Sequence, residues 1–255
     1  MGAIFTKHIN QDFFKKWSSE MSYFLGYIVA DGCITVSQNR KYPFTLNITS
    51  SEKKYLYRLR NVLESEHKIS KKPGKLEFFT YQLQIRNPII TKDLINLGIY
   101  PRKTYNLNPI KVPNKYFPDF ARGFFDGDGT VYIYKVNNVF QIKAGFISSS
   151  LPFITKFNDQ LCENLSISKK TIHQTINKQT EKRIILYSIC FYIDDCEKLA
   201  KFIYKNNPTL YLPRKRQVFE RWKSIKRRRY VKQNYPSKIG WQLNQIFYLK
   251  NCQKT

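Results

Sequence analysis

Acidic side chains are scarce in this chain: 18 Asp plus Glu stand against 44 Lys plus Arg, a formal net charge of +26. So large an excess opposes compaction through self-repulsion and calls for a polyanionic partner. Nucleic acid is the expected one, ahead of an anionic membrane surface. Paired cysteines are lacking too. Cys33, Cys162, Cys190, Cys196 and Cys252 are odd in number and form no C-x-x-C. That argues against a disulfide framework or a structural zinc site and fits a reducing compartment. His8, His67 and His173 stand apart, without a second ligand at helical or strand spacing. No run of 18 apolar residues occurs, so no membrane partner is expected. Lys7, Asn10, Gln11 and Asp12 interrupt any signal-peptide apolar region, and no strong transit-peptide character replaces it. The expected location is an organelle or a bacterial cytoplasm, not the exterior.

What the chain does have is an internal repeat. Leu25-Gly26-Tyr27-Ile28-Val29-Ala30-Asp31-Gly32 and Arg122-Gly123-Phe124-Phe125-Asp126-Gly127-Asp128-Gly129 are two versions of one segment. Ile48-Thr49-Ser50-Ser51 pairs with Ile147-Ser148-Ser149-Ser150, and Tyr81-Gln82-Leu83-Gln84-Ile85 with Tyr187-Ser188-Ile189-Cys190-Phe191. Tyr100-Pro101-Arg102-Lys103 pairs with Leu212-Pro213-Arg214-Lys215. The offsets grow from 97 at the Asp-Gly pairs to 112 at the Pro-Arg-Lys pairs, as loop insertions would produce.

The patterning gives each copy an αββαββα order. In copy one a helix is expected over 21–31, with Ser18 or Ser19 as N-cap and Gly32 as its stop. Alternating strands follow at 33–38 and 44–49, a helix at 53–66, a strand at 76–86 and a helix at 90–97. Copy two repeats the order, and a basic helix is expected from Arg214 onward. The expected division is an N-terminal extension 1–17, a first subdomain 18–108, a proline-bearing linker 109–118, a second subdomain 119–225 and a basic tail 226–255.

Gly26 with Ala30, and Gly123 with Gly127, put small residues four apart on one helix face. Two such faces can approach backbone to backbone. Asp31 and Asp128 then arrive together at the last turn, where the helix dipole disfavours a carboxylate. Like charges about 4 Å apart repel by roughly 4 kcal/mol at an effective dielectric of ~20. A raised pKa or a bound Mg²⁺-like cation relieves that repulsion. The plainer alternative is that each Asp merely shapes its turn.

Phe24 to Gly32 and Ala121 to Gly129 resemble the paired motifs of the LAGLIDADG homing endonucleases, in the single-chain, two-motif form. The resemblance covers roughly residues 18 to 220. It implies an α+β fold of two pseudo-symmetric αββαββα subdomains, forming a saddle of antiparallel sheets with the motif helices at the interface. It implies a monomeric endodeoxyribonuclease that cuts both strands of a long double-stranded DNA target with Mg²⁺ or Mn²⁺. Asp31 and Asp128 take the metal-binding, catalytic place, with the Ala30 and Gly127 carbonyls as further ligands. Lys103 and Lys215 fall where the family carries an active-site lysine, with Arg102 and Arg214 as alternatives. Ser50 and Ser149 fall near another active-site polar position. One departure is visible: the sixth motif position is Asp126 in copy two but Val29 in copy one.

Polar strand positions supply the expected DNA contacts. These are Thr35, Ser37, Arg40, Asn47, Gln82, Gln84 and Arg86 in copy one. In copy two they are Tyr132, Tyr134, Gln141, Lys143, Lys182, Arg183 and Ser188. The run Lys226-Arg227-Arg228-Arg229 reads as phosphate contact. Two rivals keep the fold: an intron maturase that binds its own intron RNA, and a DNA-binding regulator without cleavage. Retention of both acids favours the nuclease. An opening Met1 and the absence of splicing blocks favour a free-standing or intron-encoded enzyme over an intein.

Overall fold

The computed structural model describes residues 7–36, 38, 43–73, 79–177 and 184–234. Ser37, Arg40, Lys182 and Arg183, and the side chains of Arg227, Arg228 and Arg229, lie outside what it describes.

The first copy runs α1 (Ser19–Asp31), β1 (Gly32–Val36), β2 (Phe44–Ser50), α2 (Lys53–Val62), β3 (Ile69–Pro73), β4 (Phe79–Ile85), α3 (Pro88–Asn96) and the short α4 (Lys103–Asn106). The second runs α5 (Phe117–Asp128), β5 (Gly129–Val136), β6 (Val139–Ser148), α6 (Leu151–Leu165), β7 (His173–Asn177), β8 (Ile184–Tyr192), α7 (Ile193–Ile203) and α8 (Pro213–Asn234). The strands form two antiparallel four-stranded sheets of the same order, β1-β2-β4-β3 and β5-β6-β8-β7. The expected αββαββα duplication is therefore present. Residues 8–14 pack on the first copy: Ile9 and Phe14 are buried, and the Asn10 amide donates to the Leu63 carbonyl at 3.0 Å. Among the described residues, no helix is long and apolar enough to cross a membrane.

Local chemistry sets the helix ends. The Ser18 hydroxyl accepts from the Met21 amide at 3.1 Å and caps α1. Asn87 caps α3, and Pro88 stands where a missing N–H costs nothing. Gly32 does stop α1, but not through the left-handed conformation usual at a helix end: its φ is −81°. The reason is space. A Cβ at Gly32 would lie 2.8 Å from the Ile28 carbonyl oxygen, and one at Gly129 would lie 2.4 Å from that of Phe125. Each chain leaves its helix so sharply that only hydrogen fits there.

Strand alternation turns Ile34, Leu46, Ile48, Leu83 and Ile85 inward in copy one, and Ile142, Ala144, Phe146, Ile189 and Phe191 in copy two. Helices cover that inner side, leaving the other face of each sheet free.

α1 and α5 cross at the centre. A Cβ on Gly26 would sit 2.1 Å from the Phe120 carbonyl oxygen, and one on Gly123 would sit 1.9 Å from that of Tyr23. A Cβ on Gly127 would meet the Ala30 Cβ at 2.2 Å. The four small residues are thus the surface through which the two backbones touch.

Candidate active site and nucleic-acid face

The crossing brings the C-terminal ends of α1 and α5 together. The position of a Gly127 Cβ lies 3.3 Å from one Asp31 carboxylate oxygen, so Asp31 rests against the end of the partner helix. Lost hydration pushes the Asp128 carboxyl up to about 6, and the Asp31 charge adds to the rise, against the pull of Lys103 and Lys215. Asp31 also lies above its ordinary range through desolvation, opposed first by a hydrogen bond with Tyr27 and then by Lys215, Lys103 and Arg214. Neither acid forms an ion pair among the described residues, and Asp31 keeps an exposed edge.

The partners of the two acids differ. The Tyr27 hydroxyl stands beside Asp31 and Ser50 and favours the Asp31 charge. The position equivalent to Tyr27 in copy two is Phe124, which has no hydroxyl. Asp31 thus has a polar support that Asp128 lacks.

The two basic pairs resolve in the same sense. Arg102 and Arg214 are exposed, and Arg214 Nε donates to Glu52 at 2.8 Å. Lys103 and Lys215 are buried at the site. Lys103 Nζ donates to the Val29 carbonyl at 2.6 Å and the Ala30 carbonyl at 3.4 Å. Lys215 Nζ reaches four carbonyls: Phe125 at 2.6 Å, Asp126 at 2.8 Å, Gly127 at 3.1 Å and Gly129 at 2.6 Å. Each lysine satisfies the orphan carbonyls of its own motif helix and puts positive charge at the negative end of the dipole. Burial lowers both lysines, Lys215 to about 8, with Asp126 the leading charge that holds it up. Both ammonium groups are committed to helix ends, a role that sequence spacing did not reveal.

Sheet register corrects one pairing of the copies. Gly32 pairs with Ile48 and Gly129 with Phe146, while Ser50 pairs with Tyr81 and Ser148 with Tyr187. The counterpart of Ser50 is therefore Ser148, and Ser149 is one residue out of step. The Ser149 hydroxyl donates to the Thr104 carbonyl at the surface. A run of three near-identical small polar residues carries no register information, which is why the slip passed unseen in the sequence.

The free sheet faces carry most of the expected contact residues. In copy one Thr35, Asn47, Gln82 and Gln84 stand together, and Arg86 is exposed just beyond β4. Asn47 and Gln82 are nevertheless covered. Asn47 donates to Thr35 at 2.9 Å and accepts from Gln84 at 2.8 Å and Gln82 at 3.2 Å. In copy two Tyr132 is exposed, and Tyr134, Gln141, Lys143 and Ser188 are half-buried on one face. The register adds Thr49, Ser70, Lys72 and Thr80 to the first face. The short basic strand Ile69–Pro73 lacked a clear alternation to announce it.

The fold and the paired acids define a class: two-copy αββαββα proteins with an acidic dyad at the foot of crossed central helices. Residues 18–86 match the family model described as a LAGLIDADG-like domain. The resemblance drawn from the two motifs to the LAGLIDADG family therefore holds. Among solved structures the chain is similar to the LAGLIDADG homing endonuclease I-GzeII in complex with its DNA target. The identity is 11%, with 88% of this chain and 95% of that chain covered and a TM-score of 0.52. It is also similar to the meganuclease I-SmaMI bound to uncleavable DNA (14% identity, 91% and 95% covered, TM-score 0.48). A third likeness is to the N-terminal LAGLIDADG domain of DUF199/WhiA (13%, 82% and 96%, 0.44). At these identities the likeness is one of fold. The comparison with curated proteins finds no match.

Proposed function

We propose that this chain is a site-specific double-strand DNA endonuclease of the homing class, hydrolysing one phosphodiester on each strand of a long, asymmetric target. The carrying observation is the convergence of Asp31 and Asp128, without ion pairs, at the glycine-tight crossing of α1 and α5. The two polar sheet faces flank that point, with unlike residues in the two copies, as an asymmetric duplex requires.

The donor set fits divalent cations of the Mg²⁺ or Mn²⁺ kind. Two desolvated carboxylates, with the Asp31 charge helping to raise Asp128, and two neighbouring carbonyls, Ala30 and Gly127, form an all-oxygen set. No group of three or more His, Cys, Asp or Glu occurs among the described residues. Water and phosphate oxygens would therefore complete the shell, as suits Mg²⁺. When bound, such cations supply Lewis acidity for the attacking water and the leaving 3′ oxygen. Lys103 and Lys215 hold the helix-end carbonyls in place and add positive charge beside the phosphates. Tyr27 orients Asp31. The exposed Arg102 is placed for phosphate contact, whereas Arg214 is held by Glu52 and Lys226 by Asp194 and Glu197.

We further propose that the chain acts as a monomer, since both motifs reside in one polypeptide divided at 109–118. The test begins by selecting bound duplexes from a randomised library and incubating them with protein and Mg²⁺. Wild type is expected to linearise plasmids carrying the selected site. Asp31→Asn and Asp128→Asn are each expected to abolish double-strand cutting while changing Kd less than about threefold. Normal cutting by both variants would overturn the metal-site assignment. Binding without any cutting by wild type would favour the regulator, and preference for structured intron RNA the maturase.

A further inference from the structure

The two copies hold their last loops by different means. Arg122 and Asp126 lie one turn apart on α5, and both are buried. Arg122 donates from Nε to the Leu210 carbonyl at 2.8 Å and from its terminal nitrogens to the Ile203 carbonyl at 2.9 Å and to Asp119 at 2.7 Å. Asp126 Oδ2 accepts from the Leu212 amide at 2.8 Å and from the Tyr23 hydroxyl of α1 at 2.6 Å. Tyr23 also meets the hydroxyl of Tyr55 on α2. The Leu212 carbonyl then accepts the first amides of α8, from Lys215 at 3.1 Å and Arg216 at 3.3 Å. One carboxylate therefore ties α5 and α1 to the point where α8 begins, three residues before the lysine that caps α5.

Copy one has no such tie. The equivalents of Arg122 and Asp126 are Leu25 and Val29, both buried and apolar. Lys103 belongs to the four-residue α4, follows Arg102 in the left-handed conformation (φ 59°) and reaches two carbonyls where Lys215 reaches four. Asp126 is also expensive to keep. Its Oδ1 has no hydrogen-bond partner among the described residues, and a half-satisfied buried carboxylate is ordinarily replaced with profit by an apolar side chain such as Val29.

We propose that Asp126, backed by Arg122, is a positioning residue that locks the Lys215 half of the site through Leu212, leaving the Lys103 half the softer one. The preorganised half reacts first, so a duplex nicked on one particular strand precedes the double-strand break. That consequence rests on the nuclease reading; the lock itself does not.

Hydrogen exchange on the full, metal-free chain tests the lock. Asp126→Val, which copies the residue of copy one, is expected to speed exchange of the amides of residues 210–216 at least tenfold and to leave 103–106 unchanged. Asp126→Asn, which retains an acceptor oxygen, is expected to restore most of the protection. Unchanged exchange at 210–216, or equal loosening of both loops, overturns the proposal. If Asp126→Val fails to fold, wild type decides: the Leu212 amide must exchange as slowly as the amides of α5, and faster local opening there sinks the lock. On a cleavable target, wild type is expected to accumulate one nicked strand, with Asp126→Asn retaining that bias. Nicking of the two strands in equal amounts refutes the consequence. Wild type that never cuts refutes the nuclease reading and leaves the exchange result standing.

Discussion

Four acids near the crossing face different surroundings, and the differences decide what each contributes. Asp119 is neutralised by Arg122 at 2.7 Å. Asp31 is exposed and has Tyr27 beside it, whereas Asp128 is half-buried and has no such hydroxyl. Asp126 is sealed in, and burial pushes its carboxyl from an ordinary 3.8 to about 6 despite Tyr23, the Leu212 amide, Lys215 and Arg122. Ionising it at pH 7 then costs the fold about 3 kcal/mol. The folded chain binds this proton more tightly than the unfolded chain does, so its stabilising effect is complete below pH 4 and vanishes as pH rises through about 6. Urea titrations in a chelator are expected to show wild type losing up to about 3 kcal/mol relative to Asp126→Asn between pH 4 and pH 7. Parallel stability curves for the two proteins would contradict this. The acid pair itself was readable from the sequence, because a carboxylate repeated at an unfavourable helix end needs a reason. Which member of each Arg-Lys pair points inward was not readable, since adjacent basic residues differ only in burial. The hydroxyl beside Asp31 was hidden for a related reason: a Tyr-for-Phe difference in an apolar run looks like ordinary core variation.

At the level of elements, the crossing of α1 and α5 has the tightest tolerance. Glycine in a helix interior costs about 1 kcal/mol relative to alanine, so Gly123→Ala should help an isolated helix. Here the added methyl would stand 1.9 Å from the Tyr23 carbonyl oxygen, and backbone cannot rotate away. Gly123→Ala is expected to destabilise by about 2 kcal/mol or more, net of the propensity gain. Thermal unfolding checks it, and a raised Tm would show that the helices are not held in backbone contact. The helices and their order were legible because their apolar periods are long and Ser18, Asn87 and Ser150 cap α1, α3 and α6. Strand register was less so: the Ser-rich ends of β2 and β6 fit two alignments, and only cross-strand pairing chose between Ser148 and Ser149. The close approach that demands Gly32 and Gly129 likewise had no signature beyond the glycine itself.

Across the whole molecule, the excess of 26 positive charges has a direct experimental expression. If the sheet faces and flanking helices meet about 6–10 phosphates, affinity for the selected duplex should fall roughly 10³–10⁵-fold between 50 and 200 mM salt. A flat dependence would mean that the basic surface faces away from the duplex. The charge was plain in the composition and two unlike polar faces were expected from the strands, but the full membership of the first face was not legible. Strand β3 and residues such as Thr49 and Lys72 join the first face only through pairing with β4 and β2.

The touching backbones of α1 and α5 have a last consequence, one of measurement. Helices separated by side chains can slide or rock; helices in contact through glycine cannot, so the two acidic ends behave like the points of a caliper soldered at one opening. On the nuclease proposed above, the stagger between the two cuts would be a property of the protein and not of the DNA. One base pair added at the centre of such a target would keep every recognised base in the sequence and still shift one half of the duplex, putting one scissile bond out of reach.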